Sequence, residues 1–107
     1  MNFYNSSDRE TKELLPGINA RTFWGDRVML AVVDLDANSM LPTHSHPHEQ
    51  AGYVLEGELE MNIAGNLRLI RPGDIYFIPG NIEHSVTVGS QGAKILDIFS
   101  PIREEYK

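Results

Sequence analysis

Short β-prone segments separated by tight turns dominate this sequence and constrain its fold more than any other feature. Segments rich in Val, Ile, Leu and aromatic residues occupy 27–35, 49–55, 58–64, 66–70, 74–78, 84–88 and 93–99. The stretches 65–66, 71–74 and 79–81 between them carry the Gly, Pro and Asn residues that tight turns require. Many short strands at this spacing are typical of an all-β sandwich or barrel.

One stretch near the start of the chain has a different character. Residues 5–15 are helix-like, and Ser7 with Glu10 has the spacing of a capping box. Pro16 and Gly17 would end such a helix. We therefore expect one or two helical turns before the first strand.

Length and composition limit the classes of protein that this chain can belong to. Its 107 residues, without a linker or repeat, predict a single domain over 1–107. The formal net charge of −6 argues against nucleic acid as a binding partner. The absence of Cys excludes disulfides and thiolate metal sites. The longest apolar run, 28–33, is too short to span a membrane, and residues 1–13 lack the apolar core of a secretory signal. We expect a cytoplasmic protein with no membrane partner.

Three of the four histidines lie in the segment HSHPH at 44–48, and the fourth is His84. If this segment is extended, His44, His46 and Gln50 point to one face, and Glu49 points to the other. Imidazole is a preferred ligand of transition metals, and a distant His commonly completes such a site. A cluster of exposed surface histidines is the alternative, which the close spacing disfavours. The pattern therefore favours a metal site.

The spacing of these residues resembles the two motifs of the cupin superfamily. The first, at 38–57, reads Asn38, five residues, His44-x-His46, three residues, Gln50, six residues, Gly57. The second, at 73–88, reads Gly73, five residues, Pro79-x-Asn81, two residues, His84, three residues, Val88. The resemblance implies a double-stranded β-helix, or jelly-roll barrel. It also implies one divalent transition metal ion (Zn, Ni, Mn, Fe or Co) on His44, His46, Gln50 and His84.

Four motif positions depart from the superfamily pattern. Asn38 and Asn81 replace Gly, which is mild because Asn tolerates left-handed backbone conformations. Val88 replaces Asn, and Gln50 replaces the usual Glu. A neutral amide leaves the full charge on the metal, so we expect a stronger Lewis acid that binds its metal less tightly.

The segment 93–107 contains a carboxylate, Asp97, with apolar neighbours on both faces of a predicted strand. A buried carboxylate needs a partner, which the metal site, a metal-bound water or Arg103 could supply. With a raised pKa, Asp97 would suit general base catalysis. A structural pair between Asp97 and Arg103 is an equal alternative, and Phe99 alone reads more simply as a core residue.

The tail pattern is similar to the C-terminal end of KdgF-type cupins, the small pectin-degradation cupins that linearise unsaturated uronates. It reads Asp97-x-Phe99-x-Pro101-x-Arg103-Glu104-Glu105-Tyr106. The resemblance implies catalytic roles for Asp97, Phe99 and Arg103, a homodimer, and a sugar acid as substrate. A 4,5-unsaturated monouronate would open to a linear 5-keto form. Asp97 would move the proton, Arg103 would bind the sugar carboxylate, and Phe99 would pack against the ring. Another metal-dependent cupin, such as a dioxygenase or sugar isomerase, and a non-catalytic small-molecule-binding cupin remain open as alternatives.

Several residues near these motifs receive simpler assignments. We expect His48 at the rim of the site and Glu49 in solvent. Tyr76 and Phe77 lie in an apolar segment and are expected in the core, where one of them could line the pocket. Gly57 is expected to bulge the chain and reset the strand register.

Overall fold

The computed structural model describes residues 2–107, which form an antiparallel structure of eight strands. The strands are β1 (Lys12–Leu15), β2 (Ile18–Trp24), β3 (Met29–Leu35), β4 (Met40–His44), β5 (Glu49–Ile63), β6 (Asn66–Ile70), β7 (Ile75–Ile78) and β8 (His84–Ser100). Single 3-10 turns lie at Ser6–Asp8 and Glu104–Tyr106. Among the described residues, no helical segment has the length and hydropathy needed to cross a membrane.

The two long strands, β5 and β8, run through both halves of one eight-stranded sheet that encloses one core. The first part of β5 pairs with β7 and with the last part of β8, beside which β3, β2 and β1 follow in order. The second part of β5 pairs with β6 and with the first part of β8, which also pairs with β4. Buried side chains from both halves form a single apolar cluster. The predicted all-β jelly-roll barrel is confirmed.

Gly57 lies where β5 passes from one half of the sheet to the other. The pairing of β5 with β8 shifts between Val54 and Glu56 and again between Gly57 and Leu59. Gly57 has a φ of +75°, and a Cβ atom there would collide with the carbonyl oxygen of Gly92. The predicted bulge is therefore confirmed, and only glycine fits at this position.

The left-handed conformation expected at two motif positions is also found. Asn38 has a φ of +61° and Asn81 has a φ of +66°. Asn can adopt this conformation at modest cost, so the loops that carry the motifs keep their shape without Gly.

The structure differs from the sequence prediction at several elements. Residues 12–15 form β1 rather than a helix, and the capping box joins Asn5 and Asp8 instead of Ser7 and Glu10. The stretches 49–55 and 58–64 belong to one strand, as do 84–88 and 93–99. The strands β1, β2 and β4 were not predicted. Their polar residues hide the pattern, and pairing with neighbouring strands holds them in place.

Candidate metal centre

The strand ends bring three histidines together. His44 ends β4 and pairs with His84, which begins β8. The prediction that His44 and His46 share one face of a strand is wrong, because β4 ends at His44 and His46 lies in the following connection. The ring of His46 nevertheless lies 5.9 Å from that of His44 and 5.0 Å from that of His84. One potential ligand atom from each residue lies within 4.8 Å of the others, so the three could hold one metal ion.

The hydrogen bonds of these rings leave one nitrogen of each available as a ligand. Each Nδ1 atom lies 2.8–3.1 Å from a backbone carbonyl oxygen two residues away. A carbonyl oxygen can only accept, so in the neutral ring Nδ1 carries the proton and Nε2 carries the lone pair. Nε2 of His84 is buried without a hydrogen-bond partner. A metal ligand role would account for an unpaired buried nitrogen at this position.

Gln50 lies beside this cluster on β5. Its side chain is buried, and its Oε1 atom lies 3.1 Å from Nε2 of His46. Nδ1 of His46 donates its proton to a carbonyl oxygen, so Nε2 of this ring is an acceptor, as is Oε1 of Gln50. A cation bound by both atoms would satisfy these two acceptors. Three neutral imidazoles and one amide oxygen form a donor set that suits a divalent transition metal. The residues present therefore fit such an ion.

Burial keeps His46 and His84 neutral. Desolvation, together with the positive charge of Arg103, lowers the pKa of His46 to about 4. Burial also lowers the pKa of His84. Both rings are unprotonated at neutral pH, so a metal ion does not have to displace a proton from either of them.

A pocket lies next to the histidines. Six of the seven site residues predicted from the sequence line it: His44, Gln50, His84, Asp97, Phe99 and Arg103. The register of β5 and β8 explains part of this arrangement, since Gln50 pairs with Phe99 and Gly52 pairs with Asp97. The seventh residue, His46, contacts the pocket residue Gln50.

Asp97 is buried, as the sequence predicted. Desolvation raises its pKa to about 6, although hydrogen bonds from Tyr76 and Gln50 and the charge of Arg103 oppose the rise. The hydroxyl of Tyr76 donates to Oδ1 of Asp97 at 2.6 Å. The structural pair with Arg103 is not found among the described residues, because the Nε atom of Arg103 binds Glu105 at 3.3 Å.

The C-terminal turn covers one side of the pocket. The guanidinium of Arg103 lies over the rings of Phe99 and Tyr106, at 5.4 and 4.0 Å from their centres. The backbone of this turn is held by Thr22, whose hydroxyl donates to the carbonyl oxygen of Tyr106 at 2.7 Å. Lys12 donates to the main-chain oxygens of Glu105 and Lys107. Tyr106 is a pocket residue that the sequence indicated only as the last position of the tail pattern.

The residues with simpler assignments have mixed outcomes. His48 is half-buried and is not part of the three-histidine cluster, and Glu49 is exposed. Tyr76 is buried and lines the pocket. The core assignment of Phe77 is wrong, since it is 67% exposed on the outer face of the sheet. It alternates with Tyr76 along β7, so only one of the two can face inward.

Comparison with known proteins agrees with this fold. Residues 31–99 match the family described as "Cupin domain", and the chain belongs to the cupin family. Within that family it is similar to Pectin degradation protein KdgF of Dickeya dadantii (strain 3937). The two are 33% identical over 103 residues, which cover 92% of this chain and 94% of that protein.

Two solved structures share the fold over the whole chain. The structure of KdgF from Halomonas sp. superposes with a TM-score of 0.92 at 26% identity, covering 100% of this chain and 99% of that one. An RmlC-like cupin from Shewanella frigidimarina NCIMB 400 gives a TM-score of 0.93 at 26% identity, covering 100% and 96%. The predicted resemblance to KdgF-type cupins is therefore confirmed.

Proposed function

We propose that this protein is a metal-dependent enzyme that opens the ring of 4,5-unsaturated uronates and yields 5-keto-4-deoxyuronates. The observation that carries the proposal is the shared pocket, in which a buried carboxylate, a guanidinium and the histidine cluster meet. The similarity to a pectin degradation protein supports a sugar acid as the substrate class.

The proposed metal ligands are His44, His46, Gln50 and His84. When bound, a divalent transition metal ion supplies a Lewis acid that polarises an oxygen atom of the substrate. The neutral donor set does not reduce the charge of the ion, which favours this role.

Asp97 is the proposed proton carrier. It would take the proton from the anomeric hydroxyl as the bond between C1 and the ring oxygen breaks. The resulting enolate would then accept that proton at C4, which gives the keto group at C5. The reaction is an isomerisation that needs no oxidant, reductant or water. A carboxyl with a pKa of about 6 can both accept and return a proton near neutral pH.

Arg103 and Phe99 are the proposed substrate-binding residues. Glu105 binds Nε of Arg103, and a planar guanidinium can still offer its terminal N–H groups to the sugar carboxylate. This local positive charge offsets the net charge of −6, which repels anions at long range. The buried ring of Phe99 supplies an apolar surface beneath the guanidinium, against which the sugar ring would pack.

A uronate decay assay tests the proposal. Unsaturated galacturonate absorbs in the ultraviolet and loses this absorbance as it linearises. Metal-loaded protein should accelerate the loss, and both a chelator and the Asp97→Asn substitution should return it to the spontaneous rate. Decay at the spontaneous rate with metal-loaded wild-type protein would exclude this function. Oxygen consumption with a small aromatic or diketone substrate would indicate a dioxygenase instead.

We also propose a homodimer, and the outer face of the half-sheet formed by β7, β5, β8, β3 and β2 supports it. Two register rows cross β7, β5, β8, β3 and β2, and nine of their ten residues are uncharged. The rows are Ile75, Tyr53, Leu96, Val32, Arg21 and Phe77, Ala51, Ile98, Leu30, Phe23. A sheet face in water normally carries polar side chains, so this face suits a second copy of the chain.

Light scattering tests the homodimer. The wild type should have twice the mass of one chain, and Phe77→Lys should give monomers. A wild-type monomer at micromolar concentration would contradict the proposal. The cytoplasmic location and the absence of nucleic-acid partners stay predictions.

A further inference from the structure

Tyr76, Gly52 and Asp97 lie side by side on three neighbouring strands. Tyr76 of β7 pairs with Gly52 of β5, and Gly52 pairs with Asp97 of β8. Directly opposite residues of a sheet point to the same face, which here is the face that lines the pocket. The Tyr76 side chain must cross the middle strand to reach Asp97.

Gly52 provides the space for this crossing. A Cβ atom at Gly52 would overlap the ring and the hydroxyl of Tyr76. The φ angle of Gly52 is not among the positive values of the described chain, so its backbone does not require glycine. Glycine is therefore needed here because the Tyr76 ring occupies the place of a side chain.

The contact that results is a short hydrogen bond in a buried position. The Tyr76 hydroxyl donates to Oδ1 of Asp97 at 2.6 Å, and both side chains are buried. A hydrogen bond to an ionised acceptor at this distance is among the stronger ones in proteins. Burial raises the pKa of Tyr76, so the hydroxyl keeps its proton and stays a donor.

We propose that Tyr76 is a positioning residue that holds the Asp97 carboxylate in the orientation for proton transfer, and that Gly52 makes this contact possible. The inference rests on the proposed function of Asp97. Without the hydroxyl, Oδ1 loses its donor in an apolar surrounding. The carboxylate would then turn toward the remaining donors near it, the amide of Gln50 and the guanidinium of Arg103.

The test compares Tyr76→Phe with the wild type in the uronate decay assay, using metal-loaded full-length protein. We expect kcat to fall by about 10- to 100-fold, the range for one hydrogen bond to a charged group. KM and the metal content from elemental analysis should not change. Tyr4→Phe, at an exposed tyrosine outside the pocket, is the matched control and should keep wild-type kinetics. If Tyr76→Phe lowers the melting temperature but leaves kcat unchanged, its role is only structural and the inference is wrong.

Gly52→Ala supplies an independent perturbation of the same contact. It should lower kcat by a similar factor, and the double variant with Tyr76→Phe should lose no more than either single variant. Losses that multiply in the double variant would overturn the inference. If Gly52→Ala does not fold, the kcat of Tyr76→Phe decides alone.

Failure of the proposed function gives a different result from failure of this inference. If the wild type does not accelerate uronate decay, the proposed function fails, and crystal structures of the wild type and Tyr76→Phe then decide the positioning role. A turned Asp97 carboxylate in the variant supports the inference. A carboxylate that keeps its wild-type position overturns it.

Discussion

The buried carboxylate of Asp97 predicts that Asp97→Asn stabilises the metal-free protein at alkaline pH. Burial raises the pKa of Asp97 to about 6 in the folded protein, while an unfolded chain has a value near its ordinary one of about 4. A carboxyl that binds its proton more tightly when folded stabilises the fold while it is protonated. The stabilisation by the proton on Asp97 is complete below pH 4 and is lost as the pH rises through 6. Two pKa units correspond to about 3 kcal/mol.

Urea denaturation of chelator-treated protein at pH 4, 6 and 8 measures this effect. Asn cannot ionise, so the free energy of unfolding of Asp97→Asn minus that of the wild type should grow by about 3 kcal/mol between pH 4 and pH 8. Its Oδ1 atom can still accept the Tyr76 hydroxyl. Asp34→Asn, at a more exposed carboxylate paired with Lys94, is the control and should differ from the wild type by less than about 1 kcal/mol at each pH. A difference for Asp97→Asn that is constant from pH 4 to pH 8 would refute the reasoning.

Three further predictions concern the metal and the substrate. His84→Ala should purify without metal by elemental analysis, because it removes an imidazole ligand, whereas His48→Ala should keep it; equal metal in both would contradict the ligand assignment. Gln50→Glu should bind metal about tenfold or more tightly in competition with a chelator, since it adds a negative ligand, and should linearise uronate more slowly because it weakens the Lewis acid. Unchanged affinity would show that Gln50 is not a ligand. Arg103→Lys should raise KM for the uronate by about tenfold or more, because an ammonium group cannot form the bidentate contact with a carboxylate, and an unchanged KM would place the sugar carboxylate elsewhere.

The fold class followed from local signals. Apolar segments and turn residues predicted β6 with its observed bounds, and Asn38 and Gly57 predicted the special backbone conformations that were found. The strand β2 was not predicted because Asn19 and Arg21 interrupt its apolar pattern, although the buried residues Ile18 and Ala20 alternate with them. Its place between β1 and β3 is set by pairing over a distance in sequence, which composition does not reveal.

The sequence predicted the residues of the site better than it predicted their local structure and contacts. His46 lies in the cluster, although the strand expected to carry it ends two residues earlier, at His44. The partner of Asp97 was missed because Tyr76 reaches it only through the register of three strands. In the sequence, the apolar segment around Tyr76 is typical of a core strand. The need for glycine at position 52 becomes visible only when the strands are paired.

The proposed ligands define where a bound metal ion must lie. A crystal structure of metal-loaded protein with an anomalous difference map measures this position. We expect one peak, about 2.0–2.3 Å from Nε2 of His44, His46 and His84 and from Oε1 of Gln50. A peak bound by other residues, or these four side chains turned apart with no peak between them, would contradict this expectation.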